Sequence, residues 1–315
     1  MGKIKLVVVV VTYNRLEKLK KALSSYEVQT KNCSDIVVVN NCSTDGTDSF
    51  LQSWENTPST YLKHVLKTGS NVGGAGGFYI GMEYALKINA DWVWLADDDA
   101  YPEKDAFANL LNYITNNSQT EKISAICSKV MKPDGTIDTE HRGILSGWLY
   151  WNRKNSNYND YQKDYFKIDL LSYVGVALSA RALNQVGLCN KDFFIHFDDS
   201  EHSIRLRECG DILCVPSISV LHDTPTGSVS NAGRDYGWKT YYCIRNTIYS
   251  YLRHHVPTAI VWILRIILWQ NFLYMIGSIN TESRSLMMDA VIDGCKGKLG
   301  IHNVFKPGYN NSHSK

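Results

Sequence analysis

Apolar and polar positions alternate along the first hundred residues in two rhythms. Residues 5–11 form a nearly continuous valine run, with the length and β-branched content of a strand buried on both faces. Leu16, Leu19, Leu23 and Tyr26 then recur at helical spacing. A second strand over 35–39 runs into the turn-rich Asn40-Asn41-Cys42-Ser43-Thr44-Asp45-Gly46, after which a short helix should turn Phe50, Leu51 and Trp54 inward. Residues 61–66 predict a third strand, residues 78–88 a helix behind a glycine cluster, and residues 92–97 a fourth strand. Strand and helix in alternation predict a parallel sheet with helices on its faces. Ligands of such sheets sit beyond the carboxyl ends of the strands. Thr12, residues 40–45, the glycine cluster and Asp97-Asp98-Asp99 all fall at such ends.

From Ile123 the rhythm loosens. Lys132-Pro133-Asp134-Gly135-Thr136 is a hairpin signal, and residues 147–165 are irregular and rich in Trp, Tyr and Asn. Residues 170–178 predict another strand, and 180–186 a short helix closed by Gly187. Residues 193–202 should open a helix that Gly210 ends. Between 236 and 281 there is no Asp or Glu, and residues 259–277 are strongly apolar but interrupted by Arg265, Gln270 and Asn271. A spanning helix wants about 20 apolar residues with few charges. A cationic, aromatic helix lying on a membrane surface suits this pattern better, and packing on the main domain or across a dimer is the alternative. Residues 302–315 read as a disordered tail.

Composition narrows the classes. A net charge of +2 on 315 residues argues against nucleic-acid binding and against an acidic disordered chain. Eight cysteines without a C-x-x-C pair look like reduced, cytosolic thiols. The apolar run behind Lys3 and Lys5 is too short for a signal peptide and lacks a small-residue cleavage site, so a buried first strand is the better reading.

The densest chemistry is the acidic triplet at the fourth strand's end. Three adjacent carboxylates repel one another unless a counter-charge is present. In an extended chain Asp97 and Asp99 face one spot while Asp98 points elsewhere. A divalent cation with oxygen ligands is the natural occupant, and it commonly holds a diphosphate. A solvated acidic turn is the alternative. The cluster Asn71-Val72-Gly73-Gly74-Ala75-Gly76-Gly77 is neither a Walker A loop nor a G-x-G-x-x-G, since Tyr79 stands at the last position. It reads as a loop admitting a ligand close to the backbone, or as a flexible turn.

Together these segments resemble the family 2 glycosyltransferases. The matching elements are Val-Val-Thr-Tyr-Asn-Arg after the first strand, Val-Val-Asn-Asn-Cys-Ser-Thr-Asp-Gly-Thr after the second, Asn-Val-Gly-Gly-Ala-Gly-Gly-Phe, and the Asp triplet. Phe-Phe-Ile-His-Phe-Asp-Asp-Ser-Glu-His resembles the family's acceptor-side acidic motif. The form is nearest to bacterial galactofuranosyltransferases, with rhamnosyltransferases next.

The resemblance implies an α/β, Rossmann-like GT-A fold over residues 1–230, followed by a C-terminal helical region at 231–301. It implies that Asp97, Asp99 and His222 hold Mn²⁺ or Mg²⁺ against a nucleotide sugar, and that Asp199 is the general base of an inverting transfer. Asp198, Glu201 and His202 would meet the acceptor, a glycan or lipid-linked glycan; Trp148 and Trp151, between the donor and acceptor motifs, would stack on a sugar face or pack in the core. Thr12, Asn14, Asn40, Asp45, Asn71, Gly74 and Asp98 would line the donor. The preferred donor is UDP-galactofuranose, with dTDP-rhamnose the alternative. A cytoplasmic enzyme peripheral to the inner face of the cell membrane, alone or as a homo-oligomer, is expected. A metal-dependent nucleotidyltransferase and a carbohydrate-binding protein remain as other classes. The first would release pyrophosphate, and the second would bind glycan without turnover.

Overall fold

The computed structural model describes residues 3–146, 152–224 and 237–309. Its first part alternates as β1 (Leu6–Thr12), α1 (Leu16–Glu27), β2 (Asp35–Asn40), α2 (Thr47–Glu55), β3 (Leu62–Lys67), α3 (Gly73–Lys87) and β4 (Trp92–Asp97). Next come β5 (Ala100–Pro102), α4 (Ala106–Asn116), β6 (Ile123–Met131), β7 (Arg142–Ser146), β8 (Asn152–Asn155), β9 (Phe166–Ile168), β10 (Leu170–Leu171) and β11 (Val176–Ser179). The chain continues through α5 (Ala180–Val186), α6 (Asp198–Cys209) and β12 (Asp211–His222) to three helices, α7 (Trp238–His254), α8 (Val256–Met275) and α9 (Thr281–Lys296).

The main sheet runs β3-β2-β1-β4-β11-β6-β12-β5, with β9 also on β12, and β10-β7-β8 form a small second sheet. β3, β2, β1 and β4 are parallel, as the alternation predicts. The sheet is nevertheless mixed, because β11 runs antiparallel to both β4 and β6. The valine run explains β1's place in the middle. Val8 and Val10 enter one core with Leu19, Leu23 and Tyr26 of α1, while Val7, Val9 and Val11 enter the other with Phe78 and Met82 of α3. The two faces of one strand thus anchor both helical layers.

The glycine cluster corrects an expectation. It is the first turn and more of α3, not a loop. A Cβ at Gly77 would stand 2.5 Å from Val11 Cγ1, and one at Gly81 2.2 Å from Val9 Cγ1. Glycine here lets the helix lie against β1, and the chain remains helical in spite of its low propensity.

The segment from His302 to Tyr309, expected to be disordered, packs on α7. The His302 ring stacks on Phe305 at 4.6 Å between centroids, Phe305 is buried, and the His302 amide donates to the Tyr242 hydroxyl. All eight cysteines are free thiols.

Candidate active site

The carboxyl ends of β1, β2 and β4 gather the polar residues that the alternation places there. β4 stops at Asp97, so Asp98 and Asp99 lie in a turn rather than in an extended chain. The expected alternation of side chains therefore does not hold. Arg15, just past β1, reaches both turn residues, with Nη1 2.7 Å from Asp99 Oδ2 and 3.4 Å from Asp98 Oδ1. Asp98 is buried and also accepts from the Thr12 hydroxyl at 2.7 Å. Lys18 Nζ lies 3.4 Å from Asp99.

His222 joins this group through strand pairing. β5 and β12 run antiparallel with His222 opposite Ala100, and the Asp223 amide donates to the Asp99 carbonyl. That register brings His222 Nε2 to 3.4 Å from Asp99 Oδ1. The Nδ1 atom of His222 is buried without a hydrogen-bond partner.

The three carboxylates differ electrostatically. Burial, then the charges of Asp99 and Asp98, push Asp97 well above the ordinary carboxyl range, and Asp198 adds to that field. Burial lifts Asp98 to about 6 despite Thr12 and Arg15. Asp99 is held low: burial opposes its charge, but His222, Arg15 and Lys18 together outweigh it. Such a strand end is short of positive charge at Asp97.

Two carboxylates and an imidazole are a donor set suited to Mn²⁺ and, less well, to Mg²⁺. No group of three or more His, Cys, Asp or Glu side chains among the described residues converges as a finished metal site. Arg15 and Lys18 supply the local positive charge. The imidazole Nε2 beside Asp99 and the raised carboxyl of Asp97 fit a cation in chemistry.

The N-terminus of α6 lies within the electrostatic reach of the triplet, since the Asp198 charge acts on Asp97. Asp198 and Asp199 open this helix, where its dipole favours negative charge. Asp199 Oδ1 accepts from the Ser200 amide at 2.6 Å. Burial and the neighbouring Asp199 push Asp198 up, and the two adjacent carboxyls titrate as a pair. Burial raises Asp199 as well, and the Arg153 charge opposes that rise.

Two expected acceptor ligands belong to the scaffold. Glu201 is held by Arg205 through two contacts of 2.8 Å and by His254 Nε2 at 2.9 Å, which ties α6 to α7. Burial opposes its charge, yet the His254 and Arg205 bonds hold it down to about 2. His202 is fully buried, with Nδ1 2.7 Å from the Tyr173 hydroxyl and Nε2 3.0 Å from the Gly187 carbonyl. Burial drives its pKa to about 3. A neutral imidazole with both nitrogens engaged has no atom left for a sugar.

On the donor side Thr12 and Asn40 are also interior. Thr12 is 1% exposed and serves Asp98; Asn40 is 2% exposed, its amide turned to the Ser43 amide and Asp48. Asn14 adopts φ +53° and accepts from the Thr44 amide at 2.7 Å, which links the β1 and β2 ends. Asp45 accepts from the Leu16 amide and from Thr47; these bonds outweigh its slight burial and lower its pKa. Asn71 accepts from the Gly73 amide at 2.9 Å and from the Asn41 side chain, and the space over Gly74 is open. Trp148 and Trp151 lie outside the described residues.

Reasoning from the sequence missed Arg15, Lys18 and Asn41. The buried Asn41 amide cross-links the β2 end to Thr68, Asn71, Val72 and Gly73. Arg15 and Lys18 are more than eighty positions from the carboxylates they meet; only the first-turn position after β1 hints at them. A surface cavity of 760 Å³ lies elsewhere, at the amino ends of β6 and β12 beside Tyr113, Lys122 and Asp211.

This arrangement has counterparts in known proteins. The family model described as glycosyl transferase family 2 matches residues 7–187. A galactofuranosyltransferase of Mycolicibacterium smegmatis is 30% identical over 207 residues, covering 64% of this chain and 65% of that protein. The chain therefore spans just under two thirds of that relative's length. A dTDP-rhamnosyl transferase of Shigella flexneri is 24% identical over 267 residues, 79% of this chain and 80% of that protein. Among solved structures, GalNAc-T7 with UDP, GalNAc and Mn²⁺ superposes with a TM-score of 0.60 at 14% identity, over 93% of this chain and 56% of that one. That likeness shows a shared GT-A fold.

Proposed function

The chain belongs to glycosyl transferase family 2, and from that membership we propose an inverting, metal-dependent transfer of galactofuranose from UDP-galactofuranose. The acceptor is a glycan or lipid-linked glycan in the synthesis of a cell-surface polysaccharide. The observation carrying the reading is the pairing of an acidic strand end at Asp97–Asp99 with an ionisable Asp199 at the α6 N-terminus. The 30% identity to a galactofuranosyltransferase supports the donor.

Asp97, Asp99 and His222 would hold Mn²⁺ or Mg²⁺, which offsets charge gathering on the departing nucleoside diphosphate. The open N-terminal turn of α3 at Gly74, beside Asn71, suits that diphosphate, because helix N-termini attract anions. Asp199 Oδ1 is fixed by the Ser200 amide. Its second oxygen accepts the acceptor hydroxyl's proton as that oxygen bonds to the anomeric carbon from the face opposite the leaving group. The anomeric C–O bond breaks through an oxocarbenium-like state, and the configuration inverts. Asp198, next to it at the start of α6, would meet an acceptor oxygen.

The rhamnosyl alternative rests on the longer alignment with the Shigella protein. Incubation with UDP-galactofuranose, and in parallel with dTDP-rhamnose, beside a synthetic lipid-linked acceptor separates the two. Release of UDP and an elongated acceptor is the expected result. Failure to transfer from either donor overturns the reading, and release of pyrophosphate would instead indicate nucleotidyl transfer.

A location peripheral to an anionic membrane is part of the same reading. Val256, Ile260, Leu264, Leu268, Phe272 and Met275 are exposed along one stripe of α8. Arg265 is beside them, and no acidic residue occurs from 236 to 281.

A further inference from the structure

The four residues leading into α6 are wound in an unusual way. Phe194, His196 and Phe197 have φ of +67°, +65° and +69°, and none is glycine. L-residues adopt this region only when their surroundings over-determine it. The constraint comes from α7. The amide nitrogen of Asn246, fully buried, donates to the carbonyls of Phe193 at 3.1 Å, Ile195 at 3.0 Å and His196 at 2.8 Å. Its oxygen accepts from Arg245 Nε at 2.9 Å.

Arg245 is also fully buried, and it donates to backbone carbonyls and to the Asn246 amide oxygen, with the Tyr241 hydroxyl also beside it. Its Nη2 reaches the Phe193 carbonyl at 3.1 Å, its Nη1 the Gly300 carbonyl at 2.6 Å, and its guanidinium lies 4.8 Å from the Tyr242 ring. Two adjacent side chains thus satisfy successive carbonyls that no strand or helix pairs. On the other side of the segment the Phe194 carbonyl accepts from the Ala75 amide at 3.2 Å. A Cβ at Gly73 would stand 1.9 Å from that same oxygen. The segment is clamped between the donor-side helix α3 and the C-terminal helix α7, and the next residues in sequence are Asp198 and Asp199.

We propose that Asn246 and Arg245 are positioning residues: the C-terminal helices use them to fix the backbone of 194–197 and so aim Asp199 at the acceptor, in register with the donor-side turn of α3. This rests on the reading of Asp199 as the base. The residue type follows from the geometry. The amide shares its two N–H groups, one of them bifurcated, among three carbonyls while its oxygen accepts from arginine, whereas an isosteric carboxylate would present oxygen to oxygen.

The test compares the full chain with its Asn246→Asp, Asn246→Ala and Asn246→Gln variants in three measurements. Hydrogen exchange over 193–201 should accelerate at least tenfold in the Asp and Ala variants, with α3 and β1 unchanged. UDP affinity in Mn²⁺ should stay within about twofold. The kcat for transfer from UDP-galactofuranose to a synthetic acceptor should fall at least tenfold, with donor KM held and donor hydrolysis retained, and Gln should recover part of the loss.

Unchanged exchange and kcat in Asn246→Asp overturn the proposal, as does parallel loss of UDP binding and exchange protection throughout the chain. If none of the three variants folds, the unaltered protein decides: the Ile195 and Glu201 amides should exchange as slowly as the middle of α7, and fast exchange overturns the latch. Absence of transfer by the unaltered protein counts against the catalytic reading alone, since the exchange experiment still decides the latch.

Discussion

Replacing Glu201 by Gln separates a scaffold role from an acceptor-binding one. The carboxylate is 7% exposed and bridges Arg205 on its own helix and His254 on α7. Gln keeps the shape and removes the charge. A carboxyl whose ordinary value of 4.5 is lowered to about 2 stabilises the fold at neutral pH by about 3 kcal/mol, at ~1.4 kcal/mol per tenfold change in proton affinity. The cost of leaving Arg205 half-paired is of the same order. For a chain of this size that corresponds to a fall in Tm of roughly 5–10 °C.

The pH dependence gives a second, independent check. The folded-state value is the depressed one, so the stabilisation is complete above about 4.5 and declines as pH falls from there towards 2. At pH 3 less than half should remain. The Tm gap between wild type and Glu201→Gln, followed by differential scanning calorimetry from pH 7 to pH 3, should hold to about pH 5 and then narrow by more than half. Acceptor KM, measured well below the melting temperature, should change little. An unchanged Tm together with a tenfold rise in acceptor KM would refute this reasoning and return Glu201 to the acceptor.

Asp199→Asn should lower turnover by about two to four orders of magnitude while UDP titration shows donor binding intact; normal turnover would move the base to Asp198. Asp97→Ala and Asp99→Ala should each weaken UDP binding in Mn²⁺ and abolish transfer, measured by calorimetry and product release. Gly73→Ala, at φ +76° and against a backbone oxygen 1.9 Å away, should cost about 2–4 kcal/mol, read as a lowered denaturant midpoint. Arg253→Glu with Arg265→Glu should release the protein from anionic vesicles in a flotation assay at low salt, with soluble-acceptor activity preserved.

Much of the first half was legible in the sequence because its signals are local. β-branched runs specify β1, β2 and β4, and turn residues mark their ends. The glycine segment was misread because glycine signals a loop in isolation, whereas here contact with Val9 and Val11 requires it in a helix. Thr12, Asn40 and His202 have residue types that bind ligands and surroundings that bury them. Burial is a tertiary property, and one position cannot announce it. Arg15 over Asp99, and Asn246 over the carbonyls before α6, depend on pairs of segments far apart in the chain. The nearness of His222 to Asp99 is set by the β5–β12 register, which no local signal in the sequence announces.

The reversed strand β11 has a consequence for how the chain assembles. Residues 176–179 pair with β4 on one side and β6 on the other. During synthesis β1–β4 can form early from neighbouring segments, but the outer edge of β4, with its Trp-Val-Trp-Leu sequence, stays open until about eighty more residues have emerged. An uncovered apolar edge is a template for pairing between nascent chains. The step most exposed to aggregation is therefore the wait for β11, and a chaperone or slowed translation over residues 98–175 would act on yield without touching the stability of the finished fold.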